Sequence, residues 1–314
     1  MINNTNVCVC GGAGFLGSHL VDYLIEERKC EVLVLDNLIA GSKKFINPKA
    51  QFEWCDITHS ESELKKFFTK YDIEYVFNYA ASPYIPVSFE RPLHVFDINA
   101  TGALKVINAA QDAGVKRILQ VSSAEIYGDA PAHAIDETYP ANPHSTYGAA
   151  KLAIDTLVQA RWREAKTPCI ALRQFNCAGE RETHPYIIPE IVRQLDKGNK
   201  VRLGNNSFRD FQSAKDAVRN AVELLEKGEL GEVYNMGSEE GIQMYDLARL
   251  IGGIMGHSKT LVETDESRVR PWEIWHLQSD NTKLYNVIGK KTPTPLKEVL
   301  QGVVFDYKQN GFIF

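Results

Sequence analysis

The sequence lacks the features that mark several large classes of protein. Its six cysteines have no metal-ligand spacing and its histidines are dispersed, so neither residue type predicts a metal site. No apolar run has the length of a membrane span, and residues 1–6 have neither the basic nor the apolar region of a signal peptide. The formal net charge of −5, with scattered basic residues, gives no reason to expect a nucleic acid or a membrane as partner. We therefore expect a reduced, cytoplasmic protein.

The chain begins with a strand, a glycine-rich turn and a helix. Residues 7–10 can fill a buried strand, and apolar residues recur from Leu16 at helical spacing. Between these two segments lie the spaced glycines Gly11, Gly12, Gly14 and Gly17. In this context Gly12 and Gly14 leave room for a pyrophosphate at the backbone, and Gly17 lets helix and strand pack closely. The N–H groups and partial positive charge of the helix N-terminus attract the same pyrophosphate.

A carboxylate at the end of the second strand completes this unit. Residues 31–36 form an apolar run that ends at Asp36, nineteen residues after Gly17. An acidic side chain at this distance accepts hydrogen bonds from the adenosine ribose hydroxyls and repels a 2′-phosphate. The two halves together predict that the chain binds NAD rather than NADP.

Strands and helices then alternate, and no internal repeat appears. We predict strands at 52–56, 75–81, 117–121 and 169–173, and helices at 60–70, 92–113 and 147–163. The alternation indicates an α/β fold, a Rossmann-type doubly wound parallel sheet with a smaller C-terminal substrate-binding lobe. We place the NAD-binding domain at 1–175, with 211–237 returning to it. The lobe is placed at 176–210 and 238–314, because loops lengthen from about Asn176.

A serine, a tyrosine and a lysine form the candidate catalytic group. Tyr147 and Lys151 stand at i and i+4 of a predicted helix, so they lie on one face. Ser123 follows the strand at 117–121, at the sheet edge where open α/β folds bind ligands. A lysine ammonium and a nicotinamide cation would both lower the pKa of Tyr147 and make its phenol a usable general base toward a hydroxyl. Ser123 would hold the same hydroxyl in position.

These motifs occur together with others that match one family. The matching segments are residues 11–17, Asp36, Ala80 and Ala81, Asn99, residues 122–128, Tyr147 with Lys151, and residues 173–176, 209–211, 270–273 and 280–283. Over nearly its whole length the chain resembles the extended short-chain dehydrogenase/reductase family. Within that family it is similar to the NAD-dependent nucleotide-sugar epimerases and dehydratases.

The resemblance implies an enzyme that holds NAD tightly and oxidises C4 of a nucleotide-diphosphate sugar to a 4-keto intermediate. Tyr147 would be the base, Ser123 its hydrogen-bonding partner, and Lys151 would bind the nicotinamide ribose. The implied cofactor contacts are Gly11, Gly14, Phe15, Leu16, Gly17, Asp36, Asn37, Asp56, Ile57, Ala80, Ala81, Asn99, Tyr147 and Lys151. The implied nucleotide-sugar contacts are Asn176, Arg209, Arg270, Ser122 and Ser123. The resemblance also implies a homodimer that pairs the helices at 92–113 and 147–163.

A guanidinium suits this kind of ligand for a reason that does not depend on the family. Its planar fork can donate two hydrogen bonds to a phosphate, which supports Arg209 and Arg270 as diphosphate contacts. The loop at 183–186 could touch sugar, but we interpret it as a surface loop.

The reaction that follows C4 oxidation is the open question. Glu125 is two residues from Ser123, so in an extended strand end both side chains would point to the same side. Family dehydratases and decarboxylases carry a glutamate at this place, whereas simple 4-epimerases usually do not. We therefore expect a 4,6-dehydratase in which Glu125 is the base for the C5 proton.

Ala124 is a departure from one version of that reaction. Glucose-type dehydratases have an aspartate there as the acid, whereas mannose-type dehydratases and glucuronate decarboxylases are similar to this chain in lacking it. The alternatives are a nucleotide-sugar 4-epimerase, then a decarboxylase of a UDP-glucuronate-type substrate, and more distantly an NAD-binding sensor without turnover.

Overall fold

A seven-stranded parallel sheet forms the centre of the molecule, in the strand order β3-β2-β1-β4-β5-β6-β11. It was established from a computed structural model that describes residues 1–130, 133–257, 259–269 and 272–314. The strands are β1 Asn6–Cys10, β2 Glu31–Asp36, β3 Gln51–Trp54, β4 Tyr75–Asn78, β5 Arg117–Ser123, β6 Cys169–Gln174, β7 Cys177–Ala178, β8 Lys200–Leu203, β9 Phe208–Asp210, β10 Gln212–Ser213, β11 Val233–Met236, β12 Gly241–Gln243, β13 Leu261–Thr264 and β14 His276–Leu277. The order reverses between β1 and β4, and a crevice outside the strand ends at such a point is the usual ligand site of this fold.

Helices cover both faces of the sheet. They are α1 Phe15–Glu26, α2 Glu61–Lys70, α3 Ile85–Glu90, α4 Pro92–Phe96, α5 Ala103–Asp112, α6 Thr146–Ala165, α7 Ile187–Asp196, α8 Ala214–Lys227, α9 Met244–Met255, α10 Thr282–Ile288 and α11 Leu296–Asn310. One core joins the sheet to α1 and α8, and a second joins its other face to α2, α5 and α6. The predicted doubly wound α/β fold is confirmed. None of the helices in the described ranges is long and apolar enough to cross a membrane.

The C-terminal part has a core of its own. Helices α7, α9 and α11 pack around it, together with the β8–β13 pair and the small sheet β12-β9-β14. Strand β11 pairs with β6 in the central sheet and α8 packs on α1, as expected for a segment that returns to the first domain. Helix α10 also packs on α8 and β11, although it belongs to the range assigned to the lobe. The division at 176–210 and 238–314 stays a prediction.

Four local expectations need correction. The strands predicted at 52–56 and 75–81 end at Trp54 and Asn78, and β5 extends through Ser122 and Ser123 instead of ending before them. The helix predicted at 92–113 is helical throughout, but a π-turn at Asp97–Gly102 interrupts it. Such turns widen a helix locally and often lie near functional sites.

Candidate active site

A cavity of about 910 Å³ lies at the carboxyl ends of the central strands. Strand β2 contributes Asp36 to its lining, and β5 contributes Ser122 and Ser123. Further lining residues on which the sequence predictions converge are Gly11, Gly14, Phe15, Leu16, Gly17, Asn37, Asp56, Ile57, Ala80, Ala81, Glu125, Tyr147, Lys151, Asn176 and Arg209. The fold thus brings nearly all of the predicted site residues to one cavity.

The turn between β1 and α1 requires glycine for steric reasons. Gly11 has φ +78°, and a Cβ there would lie 2.6 Å from the backbone nitrogen of Ala80. A Cβ on Gly17 would lie 2.0 Å from the carbonyl oxygen of Gly11, so α1 packs directly on the turn. Gly14 occupies the N-cap position of α1 without a side chain, which leaves the helix N-terminus open toward a phosphate.

Gly12 has a different role from the one predicted. A Cβ at this position would lie 2.9 Å from the Val34 side chain, so Gly12 allows close packing of the turn on β2. It does not contribute to the cavity lining among the described residues.

The acidic residues beyond β2 and β3 are held by local hydrogen bonds. Asp36 accepts from the backbone N–H groups of Ala13, at 3.0 Å, and Leu38, at 2.7 Å. Burial raises the pKa of Asp36, and these two hydrogen bonds oppose the shift. Asn37 donates to the Asp56 carboxylate at 2.9 Å, which connects the ends of β2 and β3 at the cavity wall.

Asn99 does not line the cavity and acts through its neighbours. Its amide donates to the carbonyl oxygens of Ser82 and Val95 and accepts from the Ser82 N–H. The π-turn places Asn99 at 0% exposure, where it fixes the segment after β4. Asn99 thus fixes Ser82, which does line the cavity, and its predicted contact with the cofactor stays a prediction.

The predicted catalytic group is assembled at the start of α6. The Lys151 ammonium donates to the Val121 carbonyl at 3.0 Å and lies 5.8 Å from the centre of the Tyr147 ring. Ser122 donates to the Lys151 carbonyl at 3.3 Å, while the Ser123 hydroxyl hydrogen-bonds with the Tyr147 phenol. All four side chains belong to residues that are at most 8% exposed.

The charge state of Tyr147 in the ligand-free protein differs from the expectation. Burial raises the pKa of Tyr147 to about 12, the nearby Glu125 carboxylate adds to the rise, and the Ser123 hydrogen bond only partly offsets it. Burial also lowers the pKa of Lys151 to about 8, against the opposing charge of Asp155. The positive charge of Lys151 does not offset the desolvation of the Tyr147 phenol, so this phenol is neutral before ligands bind.

Glu125 lines the cavity by a geometry that the sequence did not predict. The strand ends at Ser123, and Ala124–Ile126 forms one 3₁₀ turn. The Ser123 hydroxyl caps this turn by accepting from the Glu125 N–H at 3.2 Å. The carboxylate is near enough to Tyr147 to raise its pKa, so the two side chains share one region of the cavity.

A buried polar network supports this group from behind. Arg173 contacts one oxygen of Asp155 through Nε at 2.8 Å and through a terminal nitrogen at 2.7 Å. Arg173 also donates to the Tyr127 hydroxyl at 2.8 Å, which donates to Asn235 at 2.7 Å. Asp155 follows Lys151 by one turn of α6, so the network links the catalytic helix to β6 and β11.

The predicted nucleotide-sugar contacts are only partly described. Asn176 and Arg209 line the cavity. Arg209 donates to the carbonyl oxygens of Phe208 and Ile274 and lies 3.7 Å from the Glu273 carboxylate, so it is already engaged with protein groups. Arg270 lies outside the described residues.

The loop at 183–186 is a wall of the cavity, and its interpretation as a surface loop was wrong. His184 lies between the rings of Tyr84, at 5.6 Å, and Tyr186, at 5.5 Å. Glu182 and Thr183 precede it and also line the cavity, at 2% and 8% exposure. The loop lies in the segment beyond β6 and the short strand β7, and segments beyond the carboxyl ends of parallel strands are where ligands bind. That position, together with the aromatic residues, was the signal available in the sequence.

The fold and this cavity define a class, namely dinucleotide-dependent α/β enzymes with a serine, tyrosine and lysine site. The model of the NAD dependent epimerase/dehydratase family matches residues 7–237, and the chain belongs to this family. It is 30% identical to a mouse dTDP-D-glucose 4,6-dehydratase over 97% of this chain and 89% of the relative. It is 31% identical to a UDP-glucose 4-epimerase of Streptococcus mutans over 79% of this chain and 81% of the relative.

Solved structures lead to the same assignment. A Streptomyces venezuelae dTDP-glucose 4,6-dehydratase with NAD bound superposes with a TM-score of 0.90 at 25% identity, covering 98% of both chains. The protein is thus an enzyme of the NAD-dependent nucleotide-sugar epimerases and dehydratases. Both reaction types occur among its relatives.

Proposed function

We propose that this protein is a nucleotide-diphosphate-sugar 4,6-dehydratase. The observation that carries the proposal is the Glu125 carboxylate, which shares the cavity with Ser123 and Tyr147 and acts electrostatically on the Tyr147 phenol. A 4-epimerase needs only the removal and return of hydrogen at C4. A dehydratase needs a second base, beside the first, for the proton at C5.

The cavity has the shape and the donors to hold NAD. The glycine turn gives backbone access at the N-terminus of α1, and Asp36 supplies an acceptor for ribose hydroxyls at the end of β2. The end of the cavity that would hold adenosine is lined by Asn37, Asp56 and Ile57. The small side chains of Ala80 and Ala81 leave space in the next part of the cavity. When bound, NAD accepts the hydride from C4 of the sugar.

Each catalytic side chain has one task in this proposal. Tyr147 takes the proton of the C4 hydroxyl, while Ser123 hydrogen-bonds the same oxygen and orients it. Lys151 binds the nicotinamide ribose, and its ammonium charge opposes the burial that keeps the Tyr147 phenol neutral. Because a ketone at C4 acidifies C5–H, Glu125 can remove the C5 proton as a carboxylate. Loss of the C6 hydroxyl as water then gives the unsaturated 4-keto sugar. C6 would next take back the hydride removed from C4, and C5 a proton, so the product is a 4-keto-6-deoxy sugar that is lighter than the substrate by one water.

The second candidate is a nucleotide-sugar 4-epimerase. Ala124 favours it, because its methyl group provides no acid beside Glu125 for the oxygen that leaves C6. In that case Glu125 would hydrogen-bond the sugar without removing a proton.

Mass spectrometry of reaction products distinguishes the two. The protein is incubated with UDP-glucose, dTDP-glucose, CDP-glucose and GDP-mannose, and we expect one product lighter by one water. Glu125→Gln should lower its formation by about 10²–10⁴-fold, the usual contribution of a general base. The matched control is Glu164→Gln, at an exposed position on α6, which should leave the rate unchanged. A product of unchanged mass with inverted C4 would establish the epimerase instead.

We also propose a homodimer formed by α4 and α6. Phe89, Leu93 and Phe96 expose 51%, 86% and 41% of their surface next to α6, although each is a large apolar residue. Clustered exposed apolar side chains of this kind mark protein interfaces. A second copy of the chain would cover them, as the family resemblance implies.

A further inference from the structure

Glu182 is a buried carboxyl group that the mechanism above does not use. It lines the same cavity as Glu125 and Tyr147 and is 2% exposed. Its Oε1 atom has no hydrogen-bond partner among the residues that the structure describes. A buried polar atom without a partner costs free energy, so its presence in a ligand cavity calls for an explanation.

The loop around Glu182 is fixed from the outside in a way that turns this side chain inward. Arg181 has φ +66°, a strained conformation for a residue with a side chain, and pairs with Asp22 on α1 at 2.7 Å. Glu180 pairs with Lys215 at 3.1 Å, and its carbonyl oxygen lies 2.9 Å from a ring nitrogen of His19. Glu180 and Arg181 are thus anchored to α1 and α8, and the next residue, Glu182, lines the cavity.

The environment of Glu182 favours its neutral form. Burial alone raises its pKa well above the usual value for a glutamate, and no cation offsets this rise. Its charge acts on the Cys177 thiol and the Tyr186 phenol, whose pKa values are themselves raised by burial. An isolated carboxylate is far more costly to bury than a carboxylic acid, so burial favours the protonated form of Glu182.

Glu182 is also electrostatically close to the catalytic group. The charges of both Tyr147 and Glu182 act on the buried phenol of Tyr186, so this one side chain lies within range of the two. Tyr186 in turn stacks against His184 on the same wall. Glu182, Tyr186 and Tyr147 all line this cavity.

We propose that Glu182 is the acid of the dehydration, the group that protonates the oxygen leaving C6. This inference rests on the proposed 4,6-dehydratase activity, and it supplies the acid that Ala124 cannot provide. Glu125 takes the proton from C5, the C5–H electron pair forms the C5=C6 double bond, and the C6–O bond breaks. The Glu182 proton joins the departing hydroxyl to give water, which leaves Glu182 as a carboxylate until it is reprotonated from solvent.

Infrared difference spectroscopy tests the first part without turnover. The protein as purified should show the carbonyl stretch of a protonated carboxyl at neutral pH, and Glu182→Gln should remove it. Glu180→Gln is the matched control, two residues away. There the Lys215 ammonium and hydrogen bonds outweigh burial and hold the pKa of the carboxyl below its usual value, so the band should persist. A spectrum in which Glu182→Gln removes no such band would overturn the proposal.

Hydrogen exchange in D₂O tests whether Glu182 is the acid of the dehydration. The substrate is the one that the protein dehydrates among UDP-glucose, dTDP-glucose, CDP-glucose and GDP-mannose. Glu182→Gln should still introduce deuterium at C5 of the recovered sugar, because Glu125 is intact, but should lose water at least about 100-fold more slowly. Glu125→Gln should lose both processes. Dehydration by Glu182→Gln at the normal rate, or loss of C5 exchange in this variant while it stays folded, would refute the acid role.

Failure of the proposed function has a different signature. It would appear in the unmodified protein as epimerisation without loss of water, and it would remove the acid step with it. Failure of the further inference would appear only in the Glu182 variant.

Discussion

The ion pair between Asp155 and Arg173 lies behind the catalytic lysine, and removing its charge should destabilise the fold. The two side chains are 1% and 9% exposed and approach within 2.7 Å. Asp155→Asn keeps the shape of the side chain but removes the carboxylate charge from the buried guanidinium, whose other hydrogen-bond partners are the Tyr127 hydroxyl and the Glu137 carbonyl. Breaking a buried pair in this way costs about 3–5 kcal/mol. At about 2 °C per kcal/mol for a chain of this size, Tm should fall by roughly 6–10 °C.

The matched control is an exposed pair of the same chemistry. Asp112 lies 3.5 Å from Lys65, and the two side chains are 59% and 48% exposed. Asp112→Asn should cost less than about 1 kcal/mol, because solvent screens the pair. Thermal unfolding of both variants without ligand is the assay. Equal changes in Tm for the two variants would refute the assignment of Asp155 and Arg173 as a structural ion pair.

The same substitution should change the titration of Lys151. Burial lowers its pKa to about 8, and the Asp155 charge limits that fall, so Asp155→Asn should lower the pKa further. The unfolded chain holds the lysine proton up to about pH 10.4, so above the folded pKa it binds more protons and stability rises with pH. In Asp155→Asn this rise should begin at a lower pH. The alkaline limb of kcat/KM, which reports free-enzyme pKa values, should move in the same direction.

Two further predictions concern packing and assembly. Gly17→Ala places a Cβ 2.0 Å from the Gly11 carbonyl and should destabilise the fold by about 1–3 kcal/mol or more and weaken NAD binding in calorimetry. Gly253→Ala in α9, with nothing within 4 Å of its Cβ, should instead stabilise by about 0.5–1 kcal/mol, and equal effects would contradict the steric account. Leu93→Lys should shift the sedimentation mass from dimer to monomer at micromolar concentration, whereas Phe305→Lys, 67% exposed on α11, should not. A monomeric parent protein would disprove the dimer.

The sequence was informative where local chemistry determines structure. The glycine turn, the Asp36 carboxylate and the spacing of Tyr147 and Lys151 each follow from contacts within one strand–turn–helix unit or one helical turn. For that reason the sheet and most of the cavity lining could be predicted from the pattern of residues. The hydrogen bonds of Asn99 to Ser82 and Val95 could not be predicted, because they depend on a π-turn that the hydrophobic pattern of the helix does not reveal.

The second wall of the cavity could not be predicted in the same way. Glu182 and His184 lie in a loop whose course is set by contacts with α1 and α8, which are distant in sequence. A long polar loop with one histidine resembles a solvated connection until those anchors are known. Burial of Glu182 is likewise a tertiary property, so its protonation could not be inferred from residue type.

The charges of the site explain why the two glutamates can have opposite roles. Glu125 lies in a 3₁₀ turn at the end of β5, and its negative charge raises the pKa of Tyr147. Burial raises the pKa of Glu182 and so favours its protonated form. In the proposed reaction a charged Glu125 is the base and a protonated Glu182 is the acid, which is the combination that elimination of water requires.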